Sequence, residues 1–206
     1  MTELANGMWW VLEQFRGLTG SYGLAVIGLT LVVRALLLPL GFAQLRAMEG
    51  QKRLQPKLQE LQKKYREKPQ ELQRRMMELY REERLNPFSG CLPSLVQLPI
   101  LWALWLALRR LPEGSLFLLW DLGRPDRMFV WPILAALTQY LSMKPTMTDP
   151  KQSSMIWMMS AMTGLFAATF PSGLALYWTV SNVLTFGQYW FFQRRLGTAE
   201  GGVRAT

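Results

Sequence analysis

The sequence predicts an all-α polytopic membrane protein: five transmembrane helices around a hydrophilic groove, with a cytoplasmic helical hairpin and an N-terminal interfacial helix. Three observations predict it. Half of the 206 residues are hydrophobic and 12% aromatic, with twelve Met and nine Trp, and the apolar residues gather in five long runs. The longest polar stretch between runs carries two apolar seams at helical spacing. The basic residues fall unevenly between alternate connections, as a membrane topology requires.

Residues 1–21 read as an extracytoplasmic amphipathic helix lying in the interface. They lack a signal peptide's apolar core behind a basic start, and Met8, Trp9, Trp10, Leu12 and Phe15 interleave with Glu13 and Arg16. An ordinary solvated helix is the plainer alternative. Gly17, Gly20 and Gly23 break the pattern before the first span.

Residues 22–45 read as transmembrane helix 1. Arg34 lies near the middle of GLAVIGLTLVVRALLLPLGFAQ, roughly 17 Å from either end of that run and so near the midplane of a ~30 Å hydrocarbon core. A cation at that depth costs ~2.5–3.5 kcal/mol on insertion scales and ~10–17 in simulations of an isolated helix, so it belongs in a watery or paired cavity. Pairing with a carboxylate on a neighbouring span is the usual solution. Here no other apolar span contains Asp or Glu.

Residues 46–88 turn abruptly polar. Leu54, Leu58, Leu61 and Tyr65 step by four, three and four, and Leu72, Met76 and Leu79 by four and three. Between these seams Lys68-Pro69 stops one helix and suits the first turn of the next. The expectation is a water-exposed antiparallel hairpin. A solvated coiled-coil arm without a binding role is the alternative; against it, residues 46–84 hold twelve basic side chains and only seven acidic ones.

Residues 89–110 read as transmembrane helix 2, whose apolar run, Cys91 to Leu108, is bounded by Asn86-Pro87 and Ser89-Gly90 before it and by Arg109-Arg110 after it. Pro93 and Pro99 are tolerable where neighbouring helices satisfy the freed carbonyls, Gln97 is its buried polar group, and Cys91 is a small packing residue. Residues 111–127 are an extracytoplasmic loop whose apolar insert, 116–120, dips into the interface. Residues 128–143 are transmembrane helix 3, with Pro132 early and Gln139 late. A cytoplasmic loop, 144–154, leads to helix 4 at 155–170, a turn at 171–173, helix 5 at 174–193, and a cytoplasmic tail at 194–206 that is expected to be disordered after Gly197.

Five spans place the termini on opposite sides. With the hairpin inside, the cytoplasmic side holds seventeen Lys and Arg and the far side five, with Arg34 in the membrane, which accounts for all 23. The positive-inside rule then puts the N-terminus outside and the C-terminus in the cytoplasm, and the +9 net charge is mainly a topology signal. It is also available to anionic lipid or ribosomal RNA.

Arg34 shares a helical face with Thr30. The other spans offer Gln97, Gln139, Ser160, Thr163, Thr179, Ser181, Asn182, Thr185 and Gln188, enough to line a cavity around one fixed cation with neutral groups. Each could instead serve as interhelical glue worth ~0.6 kcal/mol. With no His and one Cys there is no disulfide framework, no metal site and no haem site, and no cofactor is implied. A membrane-bound enzyme would need a nucleophile–base pair, which is missing.

The series VVRALLLPL, LQPKLQEL, NPFSGCLPSLVQLPI, MTDPKQ and FPSGLALYWTVSNVLTFGQ resembles, in order and spacing, the YidC/Oxa/Alb family of membrane protein insertases over most of the chain. The resemblance is to the compact bacterial form, without a large extracytoplasmic domain. It implies five helices enclosing a groove open to the cytoplasm and lipid, with Arg34 as the cation that attracts acidic client segments and Thr30 beside it. Gram-negative relatives carry a client-contacting Tyr-Tyr pair where this chain has Tyr177-Trp178, a change that keeps an aromatic surface and removes one hydroxyl. The implied substrate groove comprises Arg34, Thr30, Gln97, Gln139, Tyr177, Trp178, Ser181 and Asn182. The implied partners are nascent membrane proteins, the bilayer, the ribosome and the Sec translocon, with the chain working as a monomer in the bacterial cytoplasmic membrane. The competing reading is a small anion transporter or channel that binds its solute at Arg34.

Overall fold

The computed structural model describes residues 2–83, 85, 92–147 and 152–203, and among them the chain forms eight α-helices and one two-stranded sheet. In order these are α1 (Thr2–Thr19), α2 (Tyr22–Leu36), α3 (Leu38–Lys64), α4 (Pro69–Glu82), α5 (Leu92–Leu108), β1 (Leu116–Phe117), β2 (Trp120–Asp121), α6 (Val130–Met143), a 3-10 turn (Lys144–Thr146), α7 (Gln152–Thr169) and α8 (Ser172–Val203). They divide into two compact units, one running up to Leu38 and resuming at Val96, the other Pro39–Leu95. Cys91, the NPFSGC stretch before α5 and the middle of the MTDPKQ connection lie outside the described residues.

The first apolar run is two helices rather than one. Pro39 has no N–H and its ring crowds the carbonyl four residues back. Helix α2 therefore ends at Leu36, Leu37 caps it with its N–H on the Val33 and Ala35 carbonyls, and α3 begins with Pro39 in its first turn. Arg34 consequently sits in the last turn of α2, not at the centre of a long helix. No single helix among the described residues is long and apolar enough to cross a membrane, although α2 and α3 together meet that requirement by length and composition.

In the first unit, Ala5, Met8 and Leu12 of α1 follow a three–four spacing and are all buried in one core with Val26, Leu29 and Val33 of α2. Phe15 lies so close to α2 that a Cβ on Gly28 would come within 2.6 Å of its ring. The same core takes Ala103, Leu104, Ala107 and Leu108 from α5, Ala135 from α6, Ala167 from α7, and Leu174, Leu176 and Tyr177 from α8. Gly164 of α7 lets that helix approach α6 closely, since a Cβ there would lie 3.2 Å from the Pro132 carbonyl oxygen.

The connection expected to be a loop carries a small antiparallel ladder, Leu116 opposite Asp121 and Phe117 opposite Trp120, so the fold is not purely helical. It is tied down at both ends. Ser172 donates from Oγ to the Asp121 carbonyl at 2.6 Å and from its N–H to the Arg124 carbonyl at 2.8 Å, so the residues read as a turn open helix α8 instead. The buried Asp126 carboxylate accepts from Trp120 Nε1 at 2.9 Å and from the N–H groups of Met128 and Trp131, each at 2.8 Å. Trp120 meets Trp131 edge-on at 5.7 Å.

The second unit is the hairpin. Leu54 and Leu58 are buried, and Leu61, Tyr65, Leu72, Met76 and Leu79 are half-buried, so both seams face inward. The chain breaks at Lys68 and restarts with Pro69 in the first turn of α4, as the sequence predicts. Lys57 near the middle of α3 bonds to Glu83 just past α4, and the Leu85 side chain lies against Gly50, so the two arms run antiparallel. The Glu83 carboxylate beside Lys57 raises that ammonium above the ordinary lysine range. Both groups are largely exposed, and such a pair contributes little. At the far end of the chain, α8 runs on to Val203 through the segment expected to be disordered after Gly197. An established helix extends by one hydrogen bond per residue, and an interior Gly costs it only ~1 kcal/mol.

Replacing Asp126 with Ala leaves three donors without their acceptor at once, of which the Trp131 N–H is buried, and should destabilise the first unit by about 2 kcal/mol, with Asp126→Asn intermediate. Thermal unfolding of the full chain in detergent measures this, and an unchanged midpoint for the Ala variant would contradict the role assigned to the carboxylate.

Candidate functional site

The eight residues singled out by sequence all lie in the first unit, on α2, α5, α6 and α8. The structure joins several of them in pairs. Gln97 of α5 donates from Nε2 to the Tyr177 hydroxyl at 3.1 Å, and Trp178 donates from Nε1 to the Gln139 Oε1 at 3.3 Å. Asn182 donates from Nδ2 to Thr138 Oγ1 at 3.3 Å and to the Ala135 carbonyl at 3.4 Å. Each bond crosses between helices, which fixes α8 to α5 on one side and to α6 on the other.

Two residues are placed differently. The Thr30 hydroxyl, fully buried, donates to the Val26 carbonyl of its own helix at 2.7 Å, so it is occupied locally. Ser181 is 2% exposed, and its Oγ has no hydrogen-bond partner among the described residues. Ser160 on α7 is in the same condition.

Arg34 is half-buried, and its buried Nε has no hydrogen-bond partner among the described residues. Among the described residues it makes no ion pair, and Tyr177 is the ionisable group within its electrostatic reach. Its place in the last turn of α2 supplies one compensation that reading it as mid-span had missed: the negative end of the helix dipole favours a cation there by ~0.3–1 kcal/mol, and up to ~2 when partly buried. No group of His, Cys, Asp and Glu that could hold a metal occurs among the described residues. Arg34 thus shares the first unit with neutral donors and acceptors, some engaged with each other and some, like Ser181 Oγ, without a partner among the described residues.

The family model described as 60Kd inner membrane protein matches residues 14–199. The chain belongs to the 60Kd inner membrane protein family. Curated relatives named Membrane protein insertase YidC include that of Methylococcus capsulatus, 39% identical over 206 residues covering 95% of this chain and 37% of the relative. That of Ectopseudomonas mendocina is 36% identical over 202 residues, covering 95% of this chain and 35% of the relative. The chain thus spans little more than a third of the length of these relatives. A solved structure described as an active YidC insertase with the first transmembrane domain resolved superimposes with a TM-score of 0.77 at 30% identity, covering 90% of this chain and 45% of that one. The mostly helical fold seen here is therefore that of the 60Kd inner membrane protein family.

Sequence reasoning passed over Thr138, the side chain that holds Asn182, and Asp126, which orders the entry to α6. Asp126 had a signal: an Asp after Pro125 and a few residues before an apolar run is the pattern of a helix start. Thr138 had none beyond its adjacency to Gln139.

A double-mutant cycle with Gln97→Leu and Tyr177→Phe should return a coupling of ~0.6 kcal/mol in unfolding free energy, the usual size for such bonds between membrane helices. Strict additivity would mean the bond contributes nothing.

Proposed function

We propose that this chain is a membrane protein insertase that receives nascent membrane proteins from the cytoplasm and performs no covalent chemistry on them. The observation that carries the reading is Arg34, half-buried and without an ion pair among the described residues, in the same unit as the buried neutral groups of α8. The YidC names of its relatives and its membership of an inner membrane protein family support it. So does the outward surface of the helices. Leu98 and Trp102 on α5, Ile133 and Leu137 on α6, Met158, Met162 and Leu165 on α7, and Val183, Phe186 and Trp190 on α8 are exposed, the inverse of a water-soluble bundle.

In this reading the five apolar runs span the bacterial inner membrane, with the N-terminus outside and the C-terminus inside, and enclose a groove that includes Arg34, Thr30, Gln97, Gln139, Tyr177, Trp178, Ser181 and Asn182. A client's short polar tail enters the groove, where polar walls spare it most of the cost of dehydration in hydrocarbon. Its apolar segment partitions sideways into lipid. Arg34 draws acidic tails, and a 100 mV potential adds ~2.3 kcal/mol per negative charge carried outward. The basic hairpin is the receiving arm, near the ribosome, and the Sec translocon is a further partner.

Reconstituted chain with Arg34→Ala should insert a single-span client with an acidic tail about tenfold more slowly, equivalent to ~1.4 kcal/mol, while Arg34→Lys retains most of the rate. Insertion unchanged in Arg34→Ala would sink the electrostatic role. A saturable solute flux through the wild-type chain would favour an anion transporter instead.

A further inference from the structure

We propose that the connection between α5 and α6 is a phospholipid site of the outer leaflet, in which the tip of the β1–β2 turn enters the acyl region and the cavity behind it takes the lipid's phosphate. The proposal rests on the topology given above, with this connection outside.

Large apolar side chains crowd its surface: Leu116 is 61% exposed, Leu118 72%, Leu119 77% and Met128 64%. Leu118 and Phe129 have φ of 56°, and they are the only non-glycine residues with positive φ among the described residues. Bulky side chains avoid the left-handed region, and a turn that had only to close would place Gly or Asn there. Both residues are also exposed. The backbone is therefore strained at the two points where it presents an apolar side chain outward, which favours neither folding in water nor solubility. Hydrocarbon contact covers those side chains and offsets the cost of the backbone conformation that presents them.

Behind the tip lies a cavity of about 300 Å³ lined in part by Leu119, Trp120, Asp121, Arg124, Arg127 and Met128. Its carboxylates are engaged. Asp126, also in the lining, accepts three N–H groups, and Asp121 accepts the Gly123 N–H at 2.9 Å and pairs with Arg124 Nε at 3.5 Å. Arg124 also reaches Glu113 at 4.0 Å. Arg127 is exposed and has no ion pair among the described residues, so it is the cation available to an incoming anion. A planar guanidinium matches a phosphodiester, and a Trp beside it suits the headgroup level. Free inorganic phosphate would satisfy Arg127 but leave the leucines uncovered, so the occupant is a phospholipid.

The test uses the full chain with Cys91→Ser, carrying an environment-sensitive dye at Leu118→Cys or, as the aqueous control, at Glu113→Cys, whose native side chain is 96% exposed. In vesicles of phosphatidylethanolamine and phosphatidylglycerol, the dye at 118 should be blue-shifted, quenched by nitroxide-bearing lipid and shielded from iodide, with the reverse at 113. Quenching at 118 by iodide would overturn the proposal, and so would shielding without quenching by the nitroxide lipid, which would mean a protein covers the tip. In intact cells an impermeant maleimide should label Glu113→Cys from outside. Labelling only after permeabilisation would overturn the topology itself, a failure distinct from an external but watery tip. Finally, Arg127→Glu should retain about tenfold less phospholipid through detergent extraction than wild type, with Arg127→Lys close to wild type and inorganic phosphate unable to displace the lipid. Equal retention in Arg127→Glu, or displacement by phosphate, would overturn the phosphate site.

Discussion

The constraint on which the rest depends is the charge of Arg34, carried by a helix whose neighbours in the bundle contribute neutral groups. Placing it in the last turn of α2 recovers part of its cost through the helix dipole, ~0.3–1 kcal/mol and at most ~2. In the proposed membrane topology an arginine costs ~2.5–3.5 kcal/mol on the mildest insertion scale, and neutral polar groups and water would cover the remaining deficit. Among the described residues the buried side-chain atoms without a hydrogen-bond partner are Arg34 Nε, Trp131 Nε1 and the hydroxyls of Ser160 and Ser181, the groups such a medium would engage. In a dry core each would cost ~1–3 kcal/mol.

That cation is useful only if α8 is held in register beside it, and the register is set from one end. Ser172 and Gly173 bond to the carbonyls of Asp121, Arg124 and Leu122, pinning the first turn of α8 to the β1–β2 connection. Tyr177 and Ser181 follow on the same helix, one and two turns further in. The connection is itself rigid because Asp126 gathers three N–H groups and Phe117 fills the space over Gly23. The short connection between α5 and α6 thus determines where the polar side chains of α8 come to rest.

The hairpin was legible because its signals are local: heptad-like seams and a proline at a helix start. The same kind of signal was underweighted at Pro39. Its flanks, VVRALLL and LGFAQ, are so apolar that hydropathy reads through the break, although a missing N–H acts in a helix regardless of hydropathy. The positive φ of Leu118 and Phe129 was invisible, since neither residue type favours that conformation and only tertiary packing imposes it. Polar residues of the site could be named from their types. Which of them are spent on each other could not, because Gln139 and Trp178 are 39 positions apart and Gln97 and Tyr177 are 80 apart.

In the proposed insertase, that division between spent and unspent groups bears on what the site could offer a client. Gln97, Gln139, Trp178 and Asn182 already bond across helices, so a client that used them would first have to break a structural contact. Where the family resemblance would put a second tyrosine, Trp178 has an indole N–H that only donates, and that donor is committed to Gln139. A hydroxyl in its place could donate to Gln139 and still accept from a client. In that reading the loss of this acceptor shifts the recognition burden toward Arg34 and Ser181, whose Nε and Oγ have no partner among the described residues. A site with one cation and one free hydroxyl discriminates by charge more than by hydrogen-bond pattern, which suits clients of varied sequence.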